Sequence, residues 1–461
     1  MTTVRLTERS GVVAESATAT GEFRSSAAFP LPRLRPVADF VALPATKRYV
    51  TVQEKFDIAL GAAAAWLVAA VLAVWWVLPP VAGLVPWPLA MVLFVVVVAI
   101  PGALTTFTLA GFALDHPPTP SVAHPAVPAT VAVIARNQPR SVVQTLASLR
   151  TQDYDGPLTV LLVDNGSTDS TVDEAHRAAT QLGIGLRVVV ERRIGLVHAR
   201  NAAAACTDTP LLVLVNAGTI LHPSTVRLLI ARLLRSPSDT AAVSAHALVR
   251  NTHAGDLAEL VARDYSLNAQ ASQRVHGLFQ APLVSEGACS LLRIEAVRAV
   301  GGWTRGDDDS VMLTWRFLER GWRVFHEPLA VVFTTEPITL GSWAARRVRA
   351  AHSIVEGARE KGLGSLRFPF NRFVVMMDAA GPLTDGVFVA GAAIAAALAV
   401  MGQPTLLLAY GLLVLPVSLT FAVTVRRASK HVMDDVGLAV PGGPRSWLAA
   451  GFGLHAVQAP L

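Results

Sequence analysis

Leu158–Thr171 reads LTVLLVDNGSTDST, and the fold follows from it. A run of Leu and Val that ends in Asp, Asn, Gly, Ser and Thr is the pattern of a strand buried on both faces, then a turn into a helix. Ligands in open α/β sheets bind beyond the carboxyl ends of strands. Asp164 lies at such an end, so its carboxylate is a candidate for a binding crevice. Ser167, Thr168 and Asp169 are candidate caps for the next helix. The same cluster also reads as a capped helix start and nothing more.

Working outward, strands and helices alternate. Thr130–Ala135, Leu186–Val190 and Leu211–Val215 read as strands, and Ser141–Arg150, Asp173–Leu182 and Gly195–Ala205 as helices. That alternation predicts a doubly wound, mainly parallel sheet. Farther on, Pro223–Leu234 predicts helix, Ala241–Arg250 a strand, and Asp256–Arg274 helix with polar breaks. Glu286–Arg293 predicts a turn and strand, Ile294–Val300 and Val311–Arg320 helices, and Arg323–Pro328 a strand.

This polar block is flanked by apolar sequence. Of 461 residues, 52% are hydrophobic and only 16% charged, against roughly 25% charged in soluble proteins. Phe56–Pro80 and Leu84–Leu114 are each long enough to cross about 30 Å of hydrocarbon. Trp75, Trp76 and Trp87 mark their junction as an aromatic belt would, and Pro101-Gly102 is a candidate kink. Val387–Met401 and Thr405–Val425 predict a second hairpin, whose first helix begins within Gly381–Gly386. The expected organisation is a mostly disordered tail (1–55), transmembrane helices 1 and 2 (56–114), an α/β domain (115–340), an interfacial region (341–380), transmembrane helices 3 and 4 (381–426) and a tail (427–461). Within the interfacial region, Gly341–Glu356 reads either as a basic amphipathic helix on a membrane surface or as a solvated charged helix. Both hairpin tips are uncharged, and Arg426, Arg427 and Lys430 follow the last run. The positive-inside rule therefore puts both termini and the α/β domain in the cytoplasm of a multi-pass plasma (inner) membrane protein.

The net charge of +6 suits an anionic lipid surface or substrate, and no nucleic-acid motif is present. Cys206 and Cys289 are the only cysteines, which argues against a disulfide framework.

This order of segments, and five stretches within the block, resemble the membrane-embedded family 2 glycosyltransferases, among them synthases of poly-N-acetylglucosamine, chitin oligosaccharide, hyaluronan and cellulose. VAVIARNQPRSVVQTLASLRTQDY is similar to the family's first strand and helix, placing Ala135 and Asn137 near a uracil, with Gln138 where the family usually has Glu. LLVDNGSTDST is similar to its second strand and implies that Asp164 binds uracil or ribose. IGLVHARNAAAA resembles its Gly-x-x-x-Ala-Arg-Asn segment, placing Arg200 and Asn201 near the nucleotide. EGACSLLRIEAVRAVGGW resembles the acceptor-side segment, from Glu286 to Trp303, and LTWRFLERGWRVFHEPLAVVFTTEP continues in register. The resemblance implies a GT-A fold that binds a nucleotide-sugar, usually UDP-linked, with Mg²⁺ or Mn²⁺, and passes one sugar with inversion to a glycan or lipid-linked acceptor. It also admits a homo-oligomer or a partner subunit.

The reactive positions depart from that pattern. Where the family carries Asp-x-Asp, the chain reads Asn216-Ala217-Gly218, a neutral amide and a bare backbone where a hard cation prefers carboxylates. The Thr-Glu-Asp segment falls on Asp308-Asp309-Ser310, so the base position becomes Ser310 unless a one-residue shift brings Asp309 into place. Gln-x-x-Arg-Trp reads Arg346-Arg347-Val348-Arg349-Ala350. Arg349 matches, Arg346 and Arg347 add charge near the expected diphosphate, and the stacking Trp is lost. An active glycosyltransferase and a catalytically impaired scaffold or partner subunit both remain open. A transporter is disfavoured because the apolar runs carry few ionisable residues.

Overall fold

A computed structural model describes residues 50–115, 125–251, 270–280, 288–304, 310–335 and 355–435, with isolated positions between 339 and 352. Most of the amino tail, the centre of the Pro-rich linker, most of Gly341–Glu356 and the carboxy tail lie outside the described residues.

Strand β1 (Ala129–Ala135) is buried at all seven positions, as a strand flanked on both edges and covered on both faces must be. It pairs in parallel with β2 (Leu158–Asp164) on one side and β4 (Leu211–Asn216) on the other. Beyond β2 lies β3 (Leu186–Val190), also parallel. Ala135 is level with Asp164, and Ile134 with Asn216, so three strands end together at one edge.

The parallel run is interrupted after β4. Two-residue β5 (Ile220–Leu221), β6 (Thr240–Val249), β7 (Cys289–Arg293) and β8 (Arg323–Thr334) complete an eight-stranded sheet among the described residues, in the order β3-β2-β1-β4-β7-β6-β8-β5. β7 runs antiparallel to both β4 and β6, β6 and β8 are parallel, and β5 is antiparallel to β8. The sheet is mainly parallel, as expected. β8 outruns its expected end at Pro328, whose missing N–H breaks a ladder. It continues because the strand bulges there: Ala245 is level with Glu327 and His246 with Val331, which leaves Pro328, Leu329 and Ala330 unmatched.

Among the described residues, three helices are long and apolar enough to cross a membrane: α1 (Val52–Ala82), α2 (Trp87–Leu114) and a later one at Thr405–Asp434. A fourth span is counted if Pro369–Gly381 and Gly386–Val400, bent by 54°, are taken as one. Trp75 and Trp76 stand exposed on the outer surface of α1, as lipid-facing rings would. The irregularity in α2 is a π-helical turn over Val95–Ala99, just before Pro101. The helix expected to start within Gly381–Gly386 starts at Pro369. Its first half is hidden from an apolar-run reading because Asn371 and Asp378 there face the α/β domain: Asn371 Nδ2 donates to the Gln280 carbonyl at 2.7 Å, and Asp378 Oδ2 lies 3.0 Å from His276 Nε2.

The helix Gln270–Leu278 joins the two halves. Its Ala271 and Val275, with Phe279 just beyond, pack among Phe56, Phe107, Phe112, Phe370 and Phe421. Arg274 donates through Nε to Asp115 Oδ2 at 2.7 Å and through Nη2 to the Asp115 carbonyl at 2.9 Å, with its guanidinium 4.3 Å from the Phe112 ring centre. Arg274 and Asp115 side chains are only 8% and 17% exposed. Arg274→Met therefore strands a largely buried carboxylate and lowers stability by about 3 kcal/mol. Adding Asp115→Asn regains most of that loss; thermal unfolding in detergent micelles checks both.

Candidate functional site

The common edge of β1, β2 and β4 is built by loops that hold one another. After β1 the chain turns through Asn137, whose φ of +52° is a left-handed value that Asn tolerates better than most residues. Its backbone N–H donates to Ser167 Oγ at 2.9 Å, and its side-chain oxygen accepts from the Thr168 N–H at 2.9 Å. Ser167 and Thr168, expected as helix caps, thus fasten the β2 exit to the β1 exit. Asp169 keeps the local task, accepting from the Thr171 N–H at 3.0 Å at the start of the helix Thr171–Leu182.

Asp164 ends β2 with a side chain 4% exposed. It accepts only long bonds, at 3.2 and 3.4 Å, from the Ser167 N–H among the described residues. A carboxylate has about four acceptor positions, so it retains capacity for a ligand's N–H or hydroxyl.

Asn165 was not singled out by the sequence reading, yet it ties the next loop down. Its Nδ2 donates to the carbonyls of Glu191 (3.3 Å) and Arg193 (2.7 Å), and its Oδ1 accepts from the Gly195 N–H at 2.8 Å. Within that loop the Glu191 carboxylate takes Arg193 Nε at 3.0 Å and Nη2 at 2.9 Å. The bonds from the Arg193 side chain hold the Glu191 carboxyl below its usual range, outweighing the opposing effect of burial. Arg136, Arg192 and Arg193 are exposed around this edge. An Asn directly after a strand-ending Asp was the available signal, since Asn side chains commonly bond nearby backbone.

The turn after β4 carries the altered Asp-x-Asp positions. Gly218 has φ +91°, and its N–H donates to Thr145 Oγ1 at 3.0 Å, while that hydroxyl donates to the Thr219 carbonyl at 2.9 Å. A Cβ at Gly218 would meet Ser141 Cβ at 3.4 Å in a backbone conformation that side chains rarely adopt. A carboxylate side chain at this position would therefore be strained in this turn. Among the described residues no group of three or more His, Cys, Asp or Glu is placed to hold a metal ion. Asn216 and Gly218 do not fit as a protein-held Mg²⁺ or Mn²⁺ site.

Ala135 sits in the β1 end, level with Asp164. Arg200 is buried at 2% exposure on the helix Leu196–Ala205. Asn201, expected beside a nucleotide, spends both ends of its amide on Trp303: Nδ2 donates to the carbonyl at 2.7 Å and Oδ1 accepts from the N–H at 3.0 Å. Trp303, expected on the acceptor side, is 2% exposed and packs in the core with Val300 and Trp315. Glu286, Asp308, Asp309, Arg346, Arg347 and Arg349 lie outside the described residues.

Residues 130–301 match Glycosyl transferase family 2. The chain carries a family 2 glycosyltransferase domain. Its β1 edge, Asp164 loop and Asn201 fall inside that match, and Trp303 lies two residues past its end. An N-acetylglucosaminyltransferase of Azorhizobium caulinodans is 24% identical over 225 residues, 46% of this chain and 56% of that protein. A poly-β-1,6-N-acetyl-D-glucosamine synthase of Staphylococcus aureus is 22% identical over 246 residues, 52% and 58% of the two chains. The chain thus spans about half the length of these curated relatives. A mannosyltransferase from Pyrobaculum calidifontis, solved with GDP-Man and Mn²⁺, superposes with a TM-score of 0.51 and 20% identity over 87% of this chain and 99% of that one. That likeness gives the fold, a GT-A α/β domain.

Asn165→Leu removes three hydrogen bonds that fix the 191–195 loop of the glycosyltransferase domain. It should cost about 2 kcal/mol in unfolding free energy and speed amide hydrogen exchange at Arg193 and Gly195, with exchange in β1 far less changed.

Proposed function

We propose that the chain is a membrane-held glycosyltransferase that binds a nucleoside-diphosphate sugar, UDP-linked, and transfers the sugar with inversion to a hydroxyl of a glycan or lipid-linked acceptor. The observation that carries this reading is the Asp164 carboxylate: it ends the second strand of a family 2 domain, is enclosed by two mutually fastened loops, and keeps acceptor capacity for the donor's uracil or ribose. Exposed Arg136 and Arg192 around the same edge suit a diphosphate.

In such a transfer the acceptor oxygen bonds to the anomeric carbon as that carbon's bond to the diphosphate oxygen breaks on the opposite face. The acceptor proton goes to a base, for which Asp309, with Asp308 beside it, is the candidate. The leaving diphosphate gathers negative charge, and Arg346, Arg347 and Arg349 are the candidates to meet it. Glu286 is the acceptor-side candidate. Divalent metal, where present, rides on the diphosphate itself, since the turn at Asn216–Gly218 does not supply ligands. The wild-type protein is therefore expected to bind UDP in the presence of EDTA with affinity within about threefold of that with Mn²⁺. Asp164→Ala weakens UDP by at least about tenfold, and calorimetric titration in detergent measures both. Unchanged binding in Asp164→Ala overturns the assignment. Transfer of radiolabel from UDP-N-acetylglucosamine separates an active enzyme from a protein that only binds nucleotide.

Membrane placement follows the same reading, with the α/β domain and both termini on the cytoplasmic side of the inner membrane, supported by Arg426, Arg427 and Lys430 after the last apolar run. Cys206 and Cys289 are buried, so an introduced thiol can be read against a low background. Gly83→Cys, in the turn between the first two apolar helices, should react with an impermeant maleimide in intact cells. Asp208→Cys should react only after permeabilisation. The reverse pattern inverts the topology.

A further inference from the structure

The helix Gln270–Leu278 and the residues just after it tie the sheet to the apolar helices. On the sheet side, Gly277 lies against β8, where a Cβ would meet the His326 backbone nitrogen at 3.5 Å. Gln280 extends that contact: its Nε2 donates to the Val324 carbonyl at 3.1 Å, and its Oε1 accepts from the Val324 N–H at 3.0 Å. It does so at a φ of +49°, a value that residues other than glycine seldom hold. On the other side, the Gln280 carbonyl accepts from Asn371, Arg274 pairs with Asp115, and His276 pairs with Asp378.

These ties differ in chemistry. An arginine–carboxylate pair and a neutral amide bond keep their form near neutral pH, whereas an imidazole gains or loses a proton there. His276 Nε2 stands 3.0 Å from Asp378 Oδ2, 3.2 Å from Asp378 Oδ1 and 3.5 Å from Ser272 Oγ. The His276 and Asp378 side chains are 13% and 20% exposed, so salt and water screen the pair little. Burial disfavours the charged imidazolium, but the charge and the hydrogen bond of Asp378 outweigh it, and His276 is raised above its usual value. Asp378 also sits where its own helix is weak. Pro382 has no N–H to give the carbonyl four residues back, which is that of Asp378, and Pro369–Gly381 is bent by 54° from Gly386–Val400. A change at Asp378 can therefore tilt the first half against the second.

The charged and titratable groups around the helix Gln270–Leu278 include Arg274 on it, Asp115 just beyond α2, His246 on β6, His326 and Glu327 on β8, and Arg232 on the helix Thr225–Arg235. Burial, reinforced by the Arg274 charge, pushes His246 down to about 4. Burial likewise holds His326 well below its usual value, with His246, Arg274 and Arg232 adding to it. Neither of these two rings changes charge between about pH 6 and pH 8. Burial raises Glu327 against the opposing charge of Arg232. That gives Glu327 the same sign of pH dependence as His276 and makes it the group to control for.

We propose that His276 and Asp378 form a proton-dependent latch between the α/β domain and the helix Pro369–Val400, tight while the imidazole is protonated and loosened when it is not. A neutral ring still donates a hydrogen bond, but the attraction between opposite charges is gone. A group raised on folding contributes stability that is fully present below its unfolded value, about 6.5 for His, and that is lost as pH rises through the folded value. The latch does not depend on what the nucleotide edge binds, so loss of UDP binding leaves it untouched.

The test follows the full chain in detergent by mass spectrometry from about pH 6 to about pH 9. Hydrogen exchange at the His276 ring carbon between the two nitrogens reports the titration of that ring. Amide exchange over residues 270–280 and 369–381, corrected for the intrinsic effect of pH, reports opening of the contact. The His276 midpoint in wild type should lie above that of free histidine and should fall in Asp378→Asn. Opening should rise with pH by up to about tenfold per unit across the titration. That slope should flatten in Asp378→Asn and in His276→Gln and persist in Glu327→Gln. A wild-type His276 midpoint at or below the free value overturns the latch, and this arm needs no variant. Opening that is flat with pH in wild type, or a slope that survives in a folded Asp378→Asn, overturns it too. A slope lost in Glu327→Gln and kept in His276→Gln assigns the pH response to Glu327 instead.

Discussion

The crevice depends on a constraint of direction: β1, β2 and β4 run the same way and stop at the same level. Parallel pairing delivers the residues after each strand to one edge, and crossover helices carry the chain back to the other. Ala135 beside Asp164, and Ile134 beside Asn216, fix that level. A one-residue slip in either pairing would turn every side chain of a strand to the opposite face, so the burial of all of β1 also guards the position of Asp164. The binding edge is in this sense a by-product of the core.

Much of this was legible in LTVLLVDNGSTDST and its neighbours. β1, β2 and β4 are short, nearly continuous apolar runs, and burial on both faces leaves such runs little other choice. The apolar helices were legible for the same reason. Less legible was any feature that depended on a distant partner. β7 runs against its neighbours, and nothing in CSLLR states a direction. β8 passes through Pro328 by bulging, a solution visible only once β6 lies beside it. Pro369–Gly381 carries polar residues that satisfy Gln280 and His276 across a domain boundary, so its composition hid its continuity with the apolar half.

The site divides along the same line. Asp164 was readable because strand-end carboxylates have a known place. Asn201 shares its stretch with Arg200, and only the structure reveals that its amide is occupied by the Trp303 backbone. Gly218 reads in sequence as a lost ligand; in the structure it is the residue that permits a left-handed turn pinned to Thr145. The departure at Gly218 thus removes a charge at a position whose backbone conformation favours glycine.

The π-helical turn at Val95–Ala99 sets a phase relation. A wide turn holds one residue more than an α-helical turn, so everything after it is rotated relative to what comes before. Each residue of an α-helix advances the face by about 100°. If the turn tightened by losing one residue, Asp115 would swing by about that angle while the start of the helix kept its contacts, and Arg274 would face the wrong side of it. The extra residue acts as a vernier: it aligns a long apolar helix with a carboxylate that must meet an arginine of the glycosyltransferase domain.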